Sequence, residues 1–267
     1  MCSSCATSAG DRILSSLEEP TTLPLLSPAD PAPYQVLNEA GRSRLVLVGD
    51  HAGNVIPSAL GDLGISREDQ QRHIAWDIGI AGLGEGLADR LDAVFVRQTF
   101  SRLVIDCNRD PASPIAMPEV SDMTIVPGNA GLDEEARAAR ASEIHAPYHD
   151  AIAAQLAARE APILIALHSF TPNMNGSDRP WHAGILHAGH EDAYSLRLLK
   201  MLQDETGLVV GDNEPYRLDA KDYTVPRHTF AAGLPYAEIE IRQDLIADAE
   251  GVVRWAELLG RLLPAAI

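Results

Sequence analysis

A chain of 267 residues, 46% of them hydrophobic, has enough apolar material for one large α/β domain or two small ones. Lys and Arg number 21 against 38 Asp and Glu, a net charge of −17, which argues against a polyanion partner because nucleic-acid affinity rests on neutralising phosphates. No apolar stretch approaches the ~18 residues of a membrane span. The start lacks the basic-then-apolar pattern of a secretory signal, and three cysteines give no disulfide framework. A cytoplasmic protein is expected.

Residues 1–35 are rich in Ser, Thr and Pro and read as a flexible leader, followed by a single α/β domain over 36–267. Cys2 and Cys5 form a C-x-x-C without a second pair to complete a zinc site, so they read as part of that leader. The run 44–48 predicts a strand that ends at Asp50-His51-Ala52-Gly53-Asn54. A helix is predicted over 78–91, then strands over 93–98 and 103–106 in close succession, as antiparallel neighbours. The second of these ends at Asp106-Cys107-Asn108-Arg109.

Residues 111–129 read as loop. Asp133 caps a helix whose apolar positions Ile144, Tyr148, Ile152 and Leu156 recur every four residues, and Pro147 predicts a kink or two abutting helices. The continuous apolar run 162–167 reads as a strand buried on both faces, leading into His168-Ser169-Phe170. A strand over 183–187, a helix over 192–205 and a short strand over 208–211 follow. The chain then runs through a long loop over 212–227, a strand over 236–241 and a final helix over 251–263. This alternation predicts an α/β fold of three layers, a mixed central sheet with helices on both faces.

In open α/β sheets ligands bind beyond the carboxyl ends of strands, where His51 and His168 are expected. Two imidazoles from separate strand ends can meet across neighbouring strands and share a metal ion; the alternative is a pair of hydrogen-bonded loop histidines. His145 and His149 compete as an i, i+4 pair on one helix face, but the glutamate of H-E-x-x-H is missing, and one of the two histidines can turn toward a cleft instead. Asn108-Arg109 suits the bidentate grip of a carboxylate, or Arg109 pairs with a nearby aspartate. Glu238, Glu240 and Arg242 alternate on one strand face, either as a general base steadied by an arginine or as an edge-strand ladder of ion pairs. Arg102, Arg109, Arg179, Arg227 and Arg242 concentrate positive charge near these motifs in an otherwise acidic chain. There is no serine-nucleophile elbow, phosphate loop or dinucleotide fingerprint.

Taken together, Gly49–Asn54, His73-Ile74-Ala75-Trp76-Asp77-Ile78-Gly79, Ser101–Arg109, Pro147-Tyr148-His149, His168–Pro172, Arg179-Pro180-Trp181, Asp212–Tyr216 and Glu240–Ile246 resemble the N-formylglutamate amidohydrolase family. The resemblance implies a fold related to the zinc carboxypeptidases and the aspartoacylase-type deacylases. It implies His51 and His168 as Zn2+ ligands, Asn108 and Arg109 on a substrate α-carboxylate, and Glu240 as general base with Arg242 beside it. Those peptidases carry a glutamate three residues after the first histidine, where this chain has Asn54, a poor zinc donor. Asp77 is the best carboxylate candidate for the missing ligand. Arg102 or Arg179 is expected on a substrate side-chain carboxylate, with His149 as a further substrate contact.

The expected activity is hydrolysis of the N-formyl or similar N-acyl amide of an acidic amino acid, a small-molecule substrate. The alternatives are a metallo-carboxypeptidase or deacylase acting on another N-acyl amino acid or short peptide, and a metal-free binding protein on the same scaffold.

Overall fold

Leu45, Val46, Leu47 and Val48 are all buried, the pattern of a strand covered on both faces. In the computed structural model, which describes residues 1, 24–189 and 191–267, they form the second strand of a seven-stranded sheet. In chain order the elements are β1 (Tyr34–Leu37), β2 (Leu45–Gly49), α1 (Ile80–Leu91), β3 (Val94–Gln98), β4 (Val120–Ser121), β5 (Thr124–Ile125), α2 (Glu134–Arg140) and α3 (Ala146–Ala157). Then come β6 (Ile163–Phe170), β7 (Asn173–Met174), β8 (Ser177–Asp178), β9 (Ala183–Leu186), α4 (Ala193–Gln203), β10 (Val210–Asp212), β11 (Tyr236–Arg242) and α5 (Ala249–Ala265). Cys2, Cys5 and most of the expected leader lie outside the described residues.

The sheet order is β1-β3-β2-β6-β11-β9-β10. Strands β3, β2, β6 and β11 run parallel to one another, whereas β1 is antiparallel to β3 and β9 antiparallel to β11. The sheet is therefore mixed, as the close-spaced strands predict. One face (Leu45, Leu47, Phe95, Ile165, Ile239) packs with α1, α4 and α5 residues such as Leu83, Leu198 and Leu259. The other face (Val46, Val48, Val96, Leu164, Tyr236) packs on α3 through Tyr148, Ile152 and Leu156. Three layers result. No helix among the described residues is long and apolar enough to cross a membrane.

One predicted strand is corrected. The run 103–106 forms no strand: Leu103 and Val104 lie in a turn that Ile105 follows, and all three pack into a separate apolar cluster with Phe100, Val126 and Ile144. Three consecutive apolar residues bury equally well in a turn, so their pattern carries no strand information. Conversely, Tyr34–Leu37 pairs with β3 as an edge strand, with Val36 opposite Val96. Asp133 does cap α2, accepting from the Ala136 amide at 2.8 Å, and a π-helical turn over Ala141–His145 separates α2 from α3.

Gly79 shows how the chain is steered into the site. It starts α1 with φ 87°, and a Cβ there would lie 2.2 Å from the Ile246 carbonyl oxygen. Only glycine meets both conditions, and the turn it makes lies two residues after Asp77.

Candidate active site

The residues on the α3-facing side of the sheet change from apolar to polar near the strand ends. On β6 the sequence Leu164, Ala166, His168 does so, and on β11 it is Tyr236, Glu238, Glu240. Glu240 is in register with His168 on one side and with Gly184 of β9 on the other. A cavity of about 720 Å³ opens here, lined among others by His51, Asp77, Arg102, Asp106, Asn108, Arg109, His168, Tyr216, Asp222, Glu238 and Glu240.

At its inner wall the Asp77 Oδ2 lies 3.1 Å from His168 Nδ1 and 3.4 Å from His51 Nδ1. The two imidazole rings are 5.0 Å apart, and all three residues are buried. Among the described residues these three are the group whose ligand atoms converge closely enough to hold a metal ion. The opposite ring nitrogens face other carboxylates: His51 Nε2 lies 2.7 Å from Asp106 Oδ1, and His168 Nε2 lies 3.3 Å from Asp50 Oδ2. For His51 the Asp106 carboxylate holds a proton on Nε2 and leaves Nδ1 toward Asp77, as behind a metal-ligating histidine, whereas His168 Nε2 makes no hydrogen bond among the described residues and has only the approach of Asp50. Two imidazoles and one carboxylate form a donor set that suits a divalent ion.

The electrostatics agree. Burial and Arg102 oppose charging of His51, yet Asp106 and Asp77 hold its pKa above the ordinary value. Burial likewise opposes charge on His168, and Asp50 and Asp77 raise it well above. Burial works against ionised Asp77 too, but His51 and His168 keep it below the usual carboxylate range. The surrounding carboxylates thus favour positive charge at the two imidazoles, the kind of surroundings in which a cation would be held.

Asn54 plays no part here. Its Nδ2 donates to the Gln70 carbonyl at 2.6 Å, and it faces a separate surface pocket with Arg67 and Gln70. Asp77, brought in by the loop before α1, supplies the carboxylate.

The other sequence-predicted residues divide. Asn108 and Arg109 line the cavity, but Arg109 Nη1 donates to Asp222 Oδ1 at 2.9 Å, and Asn108 accepts from the Tyr223 and Thr224 amides at 2.9 and 3.0 Å. Arg102 also lines it, gripping Asp106 Oδ2 through Nε and Nη2 at 3.1 and 2.6 Å. Arg179 lies off the wall, stacked on Tyr216 with its guanidinium 4.7 Å from the ring centroid and donating to the Tyr216 hydroxyl at 2.8 Å. Arg242 turns past the strand end to Asp244, at 2.8 Å, so the expected arginine partner of Glu240 is engaged elsewhere.

His149 is buried behind the cavity, its Nε2 2.9 Å from the Cys107 carbonyl and its Nδ1 3.0 Å from His228 Nε2. His145 Nε2 lies 3.0 Å from the Arg109 carbonyl. The i, i+4 pair thus grips the chain on both sides of Asn108, and the expected turn of His149 toward substrate is corrected. His149 is not part of the cavity wall, and its ring nitrogens are turned to the Cys107 carbonyl and to His228.

Glu240 is buried with its Oε2 unpartnered, and burial pushes its pKa up to about 7 against the opposing pull of His168. Glu238, two residues further in, is pushed by burial up to about 8. Sequence reasoning missed Asp50, Asp106, Asp222 and Tyr216. Asp50 beside His51 and Asp106 four residues after Arg102 were visible, but their roles depend on which ring nitrogen each one meets.

The sequence profile of the N-formylglutamate amidohydrolase family matches residues 43–247, well over half of the chain. The chain belongs to the N-formylglutamate amidohydrolase family. As a member it is an amidohydrolase, an enzyme of a non-peptide carbon–nitrogen bond. Two solved structures are similar to it. A gene product of Agrobacterium tumefaciens is 36% identical, with a TM-score of 0.85 over 91% of this chain and 97% of that one. The N-formylglutamate amidohydrolase of Ralstonia eutropha is 22% identical, with a TM-score of 0.64 over 88% of this chain and 97% of that one, and shares the fold. A comparison with curated proteins gives no match. Every residue of the His51–Asp77–His168 group and Glu240 falls within the stretch that matches the amidohydrolase family.

Proposed function

We propose that this amidohydrolase is metal-dependent and cleaves the N-formyl, or a similarly small N-acyl, amide of an acidic amino acid. The observation that carries this reading is the convergence of two Nδ1 atoms and the Asp77 carboxylate beside a buried, unpartnered Glu240 at the wall of one cavity. His51, Asp77 and His168 would hold the ion, zinc by its preference for imidazole and carboxylate. When bound, it supplies Lewis acidity toward an amide carbonyl and toward water.

The remaining work falls to the protein. Glu240 accepts a proton from the attacking water and delivers it to the departing amine, which suits a carboxyl group whose pKa lies close to neutrality. Arg109, with Asn108 beside it, faces the cavity and offers its free guanidinium nitrogen to the substrate's α-carboxylate while Asp222 fixes the other. Asp106 holds both His51 and Arg102, so one carboxylate orients an imidazole and a guanidinium together.

Formate release from N-formyl-L-glutamate, measured before and after chelation and again after zinc is restored, tests the proposal. Loss on chelation and recovery with zinc are expected; full activity in demonstrably metal-free protein would falsify the metal-dependent mechanism. A cytoplasmic location is part of the same proposal and is checked by cell fractionation.

A further inference from the structure

Behind the cavity, the turn that carries Asn108 and Arg109 is held by side chains that do not reach the cavity themselves. Three consecutive carbonyl oxygens there receive side-chain donors: Cys107 from His149 Nε2 at 2.9 Å, Asn108 from Arg109 Nη1 at 2.8 Å, and Arg109 from His145 Nε2 at 3.0 Å. A carbonyl only accepts, so both histidines carry a proton on Nε2. Burial, with His145 beside it, pushes the His149 pKa down to about 3 and keeps its Nδ1 an acceptor, to which His228 Nε2 donates at 3.0 Å. The Tyr223 ring lies 5.0 Å from the imidazoles of His145 and His149, while its amide donates to Asn108 Oδ1 at 2.9 Å. None of the three histidines lines the cavity.

Two of them stand on irregular helix. His145 ends the π-helical turn Ala141–His145, and His228 lies within a second one, Pro226–Phe230. Such turns are rare and recur at functional sites. What the clamped turn presents is the Arg109 guanidinium. Among the described residues it bonds through Nη1 alone, to the Asn108 and Lys221 carbonyls and to Asp222 Oδ1, which leaves its other nitrogens to the cavity. A two-bond grip on a carboxylate depends on the place and tilt of the guanidinium plane. A shift of about 1 Å in the main chain behind it can cost up to about 10²-fold.

We propose that His149 and His145 are positioning residues: by holding the carbonyls on either side of Asn108 they aim Arg109 at the substrate's α-carboxylate. They thereby set how strongly the enzyme prefers N-acyl amino acids whose α-carboxylate is free. The inference rests on the reading of Arg109 as the anchor of that carboxylate.

The test compares kcat/KM for N-formyl-L-glutamate and N-formyl-L-isoglutamine, which has a carboxamide in place of the α-carboxylate, in the zinc-loaded wild type, His149→Ala and His149→Gln. His149→Ala should lower the ratio of the two about 10-fold or more, through a higher KM for formylglutamate. His149→Gln, whose carboxamide N–H can donate to the Cys107 carbonyl in place of Nε2, should restore most of the ratio. If His149→Ala does not fold, His145→Ala, which frees the Arg109 carbonyl, takes its place. A ratio unchanged in the alanine variant, or an equal loss on both substrates, overturns the assignment and leaves the histidines a purely structural role. A wild type that treats the two substrates alike defeats the anchor reading itself, and this inference with it. Calorimetric binding of L-glutamate and L-isoglutamine gives a readout independent of turnover. A wild-type preference for L-glutamate that His149→Ala abolishes supports the positioning role even where neither formyl compound is hydrolysed, and a preference that the variant retains overturns it.

Discussion

Asp106 Oδ1 lies 2.7 Å from His51 Nε2, on the side of the imidazole opposite Asp77. The same carboxylate receives two guanidinium nitrogens of Arg102 through its other oxygen. Carboxylates placed behind ligating histidines set the tautomer and raise the basicity of the nitrogen that faces the metal. Asp106→Asn is therefore expected to weaken zinc binding about 10- to 100-fold, read by competition against a chromogenic chelator. Unchanged affinity would mean that the His51–Asp106 contact serves only to hold the loop.

In the proposed mechanism Glu240 separates metal binding from catalysis. It lies outside the converging group of His51, Asp77 and His168, so its carboxyl group is free for proton transfer. Glu240→Gln should lower kcat about 10²- to 10⁴-fold with metal content and melting temperature unchanged. Loss of metal in that variant would instead make Glu240 a ligand.

How much of this site can be read from sequence differs residue by residue. His168 is legible as a polar residue at the end of an apolar run, and Glu240 as one of two carboxylates alternating with apolar residues along a strand, both where a sheet covered on two faces opens toward its edge. The strands of the parallel core are legible for the same reason. Asp77 is harder, since it comes from a loop and meets the histidines through a turn that depends on Gly79 and the Ile246 carbonyl. Arg179 and His149 point the other way: both stand in motif-like segments, and both are used up by Tyr216 and by Cys107 and His228. Charge and hydrogen-bonding capacity are visible in a sequence, but which partner consumes them is a tertiary fact. Leu103–Ile105 fail for a similar reason, as apolar residues announce burial without saying in what backbone form.

The histidine cluster behind the site predicts a pH dependence of stability. Burial, then the neighbouring His145, pushes His149 down to about 3, and burial with Arg227 pushes His228 down to about 4. Between the ordinary value of 6.5 and these depressed values the unfolded chain binds protons that the folded chain excludes. Their contribution to stability is thus complete above pH 6.5 and declines as pH falls, by roughly 1 kcal/mol per pH unit for each unmatched proton. Glu238 and Glu240, pushed up to about 8 and about 7, act with the opposite sign in this window, so the difference between variants isolates the histidines. In urea unfolding between pH 7.5 and 5, His228→Gln should differ from the wild type in slope by about one proton, losing less stability as pH falls, and an equal slope in both would place the acid sensitivity elsewhere.

Gly184 ties the sheet to the loop that closes the cavity. It is in register with Glu240, and a Cβ on it would lie 1.8 Å from the Glu214 carbonyl oxygen. The segment that follows carries Tyr216 onto the cavity wall, where Arg179 holds it. A methyl group at Gly184 must push that segment off β9 or spread β9 from β11, and either movement disturbs the surroundings of Glu240. Gly184→Ala is expected to cost about 1–3 kcal/mol of stability and to lower kcat/KM as well. Gly207→Ala is the control: Gly207 has φ 84° and no atom within 4 Å of the added Cβ, so it pays only for a left-handed backbone, about 1–2 kcal/mol. Gly207→Ala should lose stability while keeping full activity at a temperature where both variants are folded. If Gly184→Ala retains wild-type kcat/KM under those conditions, the crossing of Glu214 over Gly184 supports the fold alone and does not position the catalytic wall.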